Sequence, residues 1–205
     1  MSEVRGVAMF TLVYLVVATV VGATRRNYEF LGYVAWMLVL VAVVWRVHVG
    51  VGLSRGALWG LSLWGLAHMV GGLVPAPAGW PTSGEGQVVY SVWIVPDRIK
   101  YDHVVHALGF GVTTWVCWQG LRHTLARAGQ ATRPMAGLLL LTWVAGLGFG
   151  ALNELVEFVA TLLIPETNVG GYRNTGWDLV ANAVGATIAI ILIRSGTRGR
   201  KRVGP

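Results

Sequence analysis

The sequence contains few charged residues, and this scarcity excludes most classes of soluble protein. Only 12% of the 205 residues are charged and 55% are hydrophobic, and the mean hydropathy is +0.61. A soluble domain usually carries about 25% charged residues. So small a charged fraction cannot cover a surface in water, but it suits a surface in lipid. The composition therefore predicts an integral membrane protein.

Cysteine is almost absent, and nucleotide-binding signatures are absent as well. The single Cys117 lies in an apolar run, so no disulfide framework exists. The glycines of segments 109–111 and 146–150 follow no predicted strand, so we expect close helix contacts there rather than a phosphate loop. We therefore expect no nucleotide cofactor.

Long apolar runs, in contrast, occur throughout the chain. A membrane-spanning helix needs about 20 mostly apolar residues. Candidate helices cover residues 6–24, 30–48, 56–75, 101–121, 135–164 and 177–193. The predicted fold class is an all-α integral membrane protein, in which residues 1–205 form a single bundle of about six transmembrane helices. The connection 76–100 contains an apolar run at 87–95 that is too short to span, so it is either a lid or a loop resting on lipid headgroups.

The formal net charge of +7 does not indicate a nucleic-acid partner, because five of the sixteen basic residues lie in segment 194–205. Basic residues beyond a last membrane helix normally anchor it at the anionic cytoplasmic face. We predict a basic cytoplasmic tail at 194–205 and membrane lipids as partners. The connections hold eleven basic residues on one side and five on the other, which predicts an inner-membrane, multi-pass protein with both termini cytoplasmic.

Ionisable residues inside the predicted helices are the strongest functional signal. Placing one in the membrane costs at least ~2.5–3.5 kcal/mol on insertion scales. Four of the nine acidic residues and three histidines lie in, or at the mouth of, predicted helices. These residues are Asp102, Glu154, Glu157, Asp178, His68, His103 and His106.

The spacing of the polar residues predicts that they face one another. Residues three or four positions apart share one face of a helix. Such pairs are Asp102 with His106, Glu154 with Glu157, and Asp178 with Asn182. All lie in the outer part of their helices, so helices that alternate in direction bring them to one level, as in bundles that build sites in their cores. We predict one polar site near the extracytoplasmic side.

A mixed set of imidazoles and carboxylates is suited to a divalent cation. The predicted metal ligands are His68, Asp102, His106, Glu154, Glu157 and Asp178. Such an ion polarises a phosphoryl or carbonyl oxygen and activates water, with a free glutamate as general base. The predicted catalytic residues are Asp102, His106, Glu154 and Glu157, and the predicted substrate contacts are Tyr101, His103, Arg173 and Asn182.

Most of these residues also have a purely structural interpretation. Asp102 and Asp178 are suited to cap a helix N-terminus, and His68 to bond a neighbouring helix. The pair Glu154 and Glu157 is harder to explain in this way. Two carboxylates so close in a medium of low dielectric need a cation, a shared proton or nearby donors.

The order of the polar motifs resembles that of known bacterial membrane families. The motifs lie at residues 68–72, 101–110, 153–158 and 177–186. Their order resembles the YjdF-like family of inner-membrane proteins of unknown function, and more distantly the VanZ-like family linked to glycopeptide-antibiotic resistance. His103 and Glu157 depart from the VanZ-like pattern, which tends to carry Lys and Gln there. The resemblance implies a helical membrane fold and a site, but no settled reaction.

The favoured functional hypothesis is a metal-dependent membrane hydrolase or transferase that acts on a lipid or lipid-linked headgroup. A proton or solute transporter is one alternative, because carboxylate and histidine chains build proton relays. A non-catalytic protein that protects the envelope or binds lipid or another small molecule is the other, since polar clusters also hold membrane helices together.

Overall fold

The computed structural model describes residues 2–84, 87–130, 133–164, 167 and 169–199, and within this part of the chain most residues are helical. The helices are α1 (Ser2–Thr24), α2 (Tyr28–Val51), α3 (Arg55–Leu73), α4 (Tyr101–Arg127), α5 (Ala136–Leu163) and α6 (Tyr172–Gly199). Between α3 and α4 lie a 3-10 turn, Val89–Ser91, and a small antiparallel hairpin of β1 (Trp93–Val95) and β2 (Ile99–Lys100). The hairpin corrects the all-α prediction in this short segment.

Local sequence explains where several helices begin and end. Asn27 caps α2 by accepting a hydrogen bond of 3.0 Å from the amide of Phe30, and Ser54 caps α3 in the same way. Gly52 ends α2 in the left-handed conformation, with φ of 73°, which glycine adopts without steric cost.

Four helices in the described part of the chain are long and apolar enough to cross a membrane. They are Val4–Thr24, Tyr28–Val51, Ala136–Leu163 and Tyr172–Gly196. Of the remaining long helices, α3 is richer in glycine and α4 is richer in polar residues. Because α4 packs against α2, α3, α5 and α6, it needs less apolar surface of its own.

The helices form two groups of three that meet along α3 and α4. In the first group, α1 and α2 pack on α3 around a core that includes Leu15, Phe30 and Met69. In the second group, α4, α5 and α6 pack closely on one another, with a smaller apolar cluster of Trp118, Leu139 and Ile193. The predicted polar residues lie at the opposite end of the second group from this cluster, next to the hairpin.

The connection between α3 and α4 packs onto the bundle instead of resting on headgroups. The amide of Val89 bonds the carbonyl of Val74, and the amide of Tyr101 bonds the carbonyl of Val92. Ser91 and Val92 are buried. This stretch therefore covers the end of the bundle at which α3 ends and α4 begins, which we call the hairpin end.

The last helix differs most from its predicted bounds. It begins at Tyr172, five residues before the predicted start at Trp177, and it continues to Gly199. Residues 194–199 are therefore helical and not a separate tail, and residues 200–205 lie outside the described part of the chain.

Candidate functional site

The first turns of α4 bring one carboxylate and one imidazole together. Asp102 and His106 lie on the same face, and Oδ1 of Asp102 is 3.6 Å from Nε2 of His106. His106 is buried, with 6% of its surface exposed. The imidazole thus lies in the bundle interior, as the four-residue spacing predicted.

Helix α5 adds both glutamates around the same imidazole. Oε1 of Glu154 lies 3.6 Å from Nδ1 of His106, and Oε1 of Glu157 lies 3.9 Å from Nε2. Asn153 donates a hydrogen bond of 2.7 Å to Oε1 of Glu157 and so fixes its direction. One histidine therefore has three carboxylates from two helices around it.

Helix α6 supplies a fourth carboxylate and two amides. Asp178 is fully buried, and its Oδ2 accepts a hydrogen bond of 2.5 Å from the side-chain amide Nδ2 of Asn174. One helical turn further along, Oδ1 of Asn182 lies 3.2 Å from Nδ1 of His106. Asn174 and Asn182 therefore connect α6 to the imidazole and the carboxylates of the other helices.

A buried lysine lies at the edge of this network. Lys100, the last residue of β2, donates a hydrogen bond to Oδ1 of Asn174, and its Nζ lies 3.9 Å from Oδ2 of Asp102. The side-chain Nδ2 of Asn174 also donates a hydrogen bond of 3.4 Å to Oδ2 of Asp102. Lys100 is one of the five basic residues that the sequence count assigns to the extracytoplasmic side, and the structure buries it beside the acidic residues.

The donor set fits a metal ion. Two groups of side chains each bring one ligand atom per residue within 4.8 Å of the others, and the groups share His106. One consists of Asp102, His106 and Asp178, and the other of His106, Glu154 and Glu157. Neither oxygen of Glu154, nor Oδ1 of Asp178, receives a hydrogen bond from the described residues. Buried carboxylate oxygens without donors favour a cation or a bound proton.

A cavity opens next to this cluster, between the two groups of helices. Its volume is about 40 Å³, which accommodates a few water molecules. Asp102 and Glu157 line it from the site, and Glu29 and Tyr33 line it from α2. The two ligand candidates Asp102 and Glu157 therefore face space in which water or a small polar group can be held.

His68 lies across this cavity and not among the ligand groups. Its Nδ1 is hydrogen-bonded to the hydroxyl of Tyr90, and both residues line the cavity. Burial, reinforced by the nearby Asp102 carboxylate, raises the pKa of the Tyr90 phenol well above its ordinary value. The hydroxyl therefore stays protonated, and the predicted metal ligand His68 is placed as a partner of Tyr90.

Three predicted substrate contacts lie away from the ligand groups. The hydroxyl of Tyr101 donates to the carbonyl of Ala67, 3.1 Å away. His103 is buried beside Trp177, and its Nδ1 accepts a hydrogen bond from the backbone amide of Lys100. Arg173 is exposed in the first turn of α6 instead of in the preceding loop. Asn182, the fourth predicted contact, is in the site.

Sequence reasoning missed several residues of the cavity and network. They are Glu29, Tyr33, Tyr90, Lys100 and Asn174. Two signals were present: Glu29 and Tyr33 have the four-residue spacing of a shared helical face, and so do Asn174 and Asp178. No local signal places Tyr90 beside His68, because that contact depends on the path of the long connection.

Comparison with known proteins identifies a family but no function. No curated protein and no solved structure matches the chain. One family model, described as a predicted membrane protein (DUF2238), matches residues 6–198, which is nearly the whole chain. Together with the apolar helices, this match confirms the prediction of a helical membrane protein. The chain belongs to the DUF2238 family of predicted membrane proteins.

Proposed function

We propose that the protein is a metal-dependent membrane enzyme whose divalent cation is held around His106 and which acts on a lipid or lipid-linked headgroup. In this proposal α3 and α4 also cross the membrane, which gives six spans. The hairpin end faces the extracytoplasmic side and both termini are cytoplasmic, as the distribution of basic residues predicts. The motif order supports a YjdF-like protein within the family, whereas the VanZ-like resemblance stays a prediction.

The observation that carries the proposal is the position of His106 between carboxylates. Asp102, Glu154 and Glu157 approach its two ring nitrogens to 3.6–3.9 Å. Ligand atoms that share one Zn²⁺ at about 2.0–2.2 Å lie about 3.4 Å from one another, so Asp102 and Glu157, which both face Nε2 of His106, need to shift by only a few tenths of an ångström to share an ion there. Glu154 faces the other ring nitrogen, Nδ1, and needs a larger movement to join that ion. The outer contacts that Asn153 and Asn182 make with Glu157 and His106 are of the kind that orients metal ligands.

Charge balance supports the same conclusion. Asp102, Glu154, Glu157 and Asp178 surround a site whose nearby cations are Lys100 and, if protonated, His106. Four ionised carboxylates beside one ammonium are strongly unfavourable at low dielectric. A divalent cation offsets two of these charges and supplies the attraction that the described side chains lack.

The chemistry divides among the residues according to which of them reach the cavity. A bound divalent cation would polarise a phosphoryl or carbonyl oxygen. Asp102 and Glu157 face the cavity and are the groups next to incoming substrate and water. Whichever of Glu154 and Glu157 does not hold the ion is the candidate general base. The hydroxyl of Tyr90 can donate a hydrogen bond to substrate when Nδ1 of His68 carries a proton and donates to it.

Metal analysis of the detergent-purified protein tests this proposal. We expect near-stoichiometric divalent metal in the wild type purified without chelator, measured by inductively coupled plasma mass spectrometry. Because loss of a ligand removes more than loss of an outer contact, which costs about 10–100-fold, Mn²⁺ affinity should fall by at least about 100-fold in Asp102→Asn and Glu154→Gln. Electron paramagnetic resonance of free Mn²⁺ measures this affinity directly.

The chain offers a matched control for these variants. Asp97 is exposed in the turn of the hairpin at φ of 55°, a conformation that asparagine tolerates. Asp97→Asn removes one carboxylate charge without touching the site, so it should retain wild-type metal. Wild-type protein without metal, or equal Mn²⁺ binding in all variants, would rule the proposal out.

A further inference from the structure

The ligand atoms around His106 fall into two groups, and a single ion reaches only one of them. Atoms that share an ion at about 2.0–2.2 Å lie at most about 4.4 Å apart. Among the described residues, Asp178 belongs to the group with Asp102 and His106, whereas Glu154 belongs to the group with Glu157 and His106. A cation held by Asp102 and Asp178 therefore leaves Glu154 without one.

Buried carboxylate oxygens without hydrogen-bond donors occur in both groups. Oδ1 of Asp178 and both oxygens of Glu154 receive no hydrogen bond from the described residues, and the two residues are only 0% and 8% exposed. His106 does not supply the donor for Glu154, because its Nδ1 lies 3.2 Å from Oδ1 of Asn182 but 3.6 Å from Oε1 of Glu154. Positive charge is therefore needed at two places in the site.

The balance of charge leads to the same number of ions. The four carboxylates of the two groups and the ammonium of Lys100 carry a net charge of −3 when all are ionised. One divalent cation leaves −1, which is unfavourable at low dielectric, and a second brings the total to +1. Glu29 lines the cavity from α2 and belongs to neither ligand group. If Glu29 is ionised as well, the site with two cations is neutral.

Glu157 lies where the two ligand groups meet. It belongs to the group of Glu154, and its Oε1 also lies 3.9 Å from Nε2 of His106. Asp102 approaches the same nitrogen to 3.6 Å. A carboxylate has two oxygens and can bind one ion with each. Glu157 also lines the cavity of about 40 Å³, which accommodates a few water molecules, so water can complete the coordination of an ion beside it.

We propose that the site holds two divalent cations bridged by Glu157. The first is held by His106 with Asp102 and Asp178. The second is held by Glu154 and water, so its ligands are oxygen atoms and it is a hard cation such as Mg²⁺ or Mn²⁺. Paired ions about 3.5–4 Å apart stabilise the attacking and leaving oxygens of a phosphoryl group together, which suits a phosphorylated headgroup. The inference rests on the proposed function, since it adds an ion to that same site.

Counting the bound Mn²⁺ ions tests the inference. The full-length protein is purified in detergent with a tag that contains no histidine and is titrated with Mn²⁺, while the free ion is followed by electron paramagnetic resonance. We expect two ions per chain at saturation, both in the wild type and in the surface control Asp97→Asn. The bound ions should give the spectrum of a spin-coupled pair, because a shared carboxylate couples neighbouring Mn²⁺ ions magnetically.

Two variants should each remove one ion of the pair. In Glu154→Gln the affinity for the second ion should fall by at least about 100-fold, more than the loss of an outer contact costs, while the first ion stays. In Asp178→Asn the first ion should be weakened in the same way while the second stays. Both variants should therefore bind one ion per chain and lose the spin-coupled signal. Asp102→Asn repeats the test of the first ion should Asp178→Asn fail to fold.

The results distinguish this inference from the proposed function. Saturation of the wild type at one ion per chain would overturn the inference while the proposed function stands, and Glu154 would then hold a proton. Loss of all bound metal in Glu154→Gln would also overturn it, because the carboxylates would then serve a single ion. Two ions in Glu154→Gln would overturn it by placing the second ion elsewhere. A wild-type protein that binds no metal would instead overturn the proposed function.

Discussion

Replacing Gly185 with alanine should separate α4 from α6 and weaken the site that lies beside their contact. Gly185 lies on α6 against the backbone of Ala107, the residue that follows His106. A Cβ at position 185 would lie 2.7 Å from the carbonyl carbon of Ala107 and 2.9 Å from its Cα, whereas ordinary contacts begin at 3.4 Å. The obstacle is backbone, which cannot move aside as a flexible side chain can.

The geometry sets the size of the effect. The nearest atom is the carbonyl oxygen of Ala107, and clearing its carbonyl carbon alone already requires the helices to separate by about 0.7 Å. The same shift would lengthen the 3.2 Å contact between Asn182 and His106 to about 3.9 Å, beyond hydrogen-bond range. Overpacking of this kind costs about 1–3 kcal/mol. For a chain of this length, each kcal/mol lowers the melting temperature by about 2–4 °C.

Thermal unfolding of the detergent-purified protein, followed by tryptophan fluorescence, measures this loss, and Mn²⁺ binding to the same variant measures the damage to the site. Gly176→Ala is the matched control, because it lies on the same helix with nothing within 4 Å of the added Cβ. There alanine should be neutral or stabilising by up to about 1 kcal/mol. A Gly185→Ala protein as stable as Gly176→Ala, with wild-type Mn²⁺ affinity, would refute the close packing described here.

Two further substitutions test contacts around the site. Asn153→Ala removes the donor to Glu157 and should weaken Mn²⁺ binding by about 10–100-fold, the usual effect of losing an outer partner of a metal ligand; unchanged affinity would mean that Glu157 needs no such orientation. Tyr90→Phe keeps the ring that packs against Gly71 but removes the hydrogen bond to His68, so it should lower the free energy of unfolding by about 0.5–1.5 kcal/mol. Equal melting temperatures for Tyr90→Phe and wild type would contradict that contact.

Much of the cluster follows from sequence spacing, because within a helix spacing decides which side chains share a face. Spacing alone put Asp102 on one face with His106, and Glu154 on one face with Glu157. Two helices at the predicted positions were then enough to bring both pairs together. Where α6 begins could not be read in this way, because the apolar pattern starts only near Trp177. The earlier start at Tyr172 puts Asn174 one turn before Asp178, and so brings an amide into the network that the sequence had left in a loop.

Contacts that depend on the long connection between α3 and α4 were beyond sequence reasoning for a different reason. Lys100 entered the sequence analysis only as one of the basic residues counted in the outer connections. It is buried because β2 and the 3-10 turn pack over the hairpin end and carry it onto Asn174. Tyr90 reaches His68 through the same packing of the connection. The sequence therefore predicted His68 as a metal ligand and could not predict its contact with Tyr90.

The distribution of unsatisfied polar atoms separates a functional cluster from a structural one. Polar residues that only lock membrane helices together should be paired with one another, since an unpaired polar group in lipid is costly. Asn153, Asn174 and Lys100 are paired in this way at the edges of the network. At its centre, however, both oxygens of Glu154 and Oδ1 of Asp178 receive no hydrogen bond from the described residues. A cluster that is satisfied at its edges and unsatisfied at its centre is what a site organised around a ligand would show. Among the described residues, the carboxylate oxygens without donors favour a cation or a bound proton, and Nδ2 of Asn182 beside them is a donor without an acceptor.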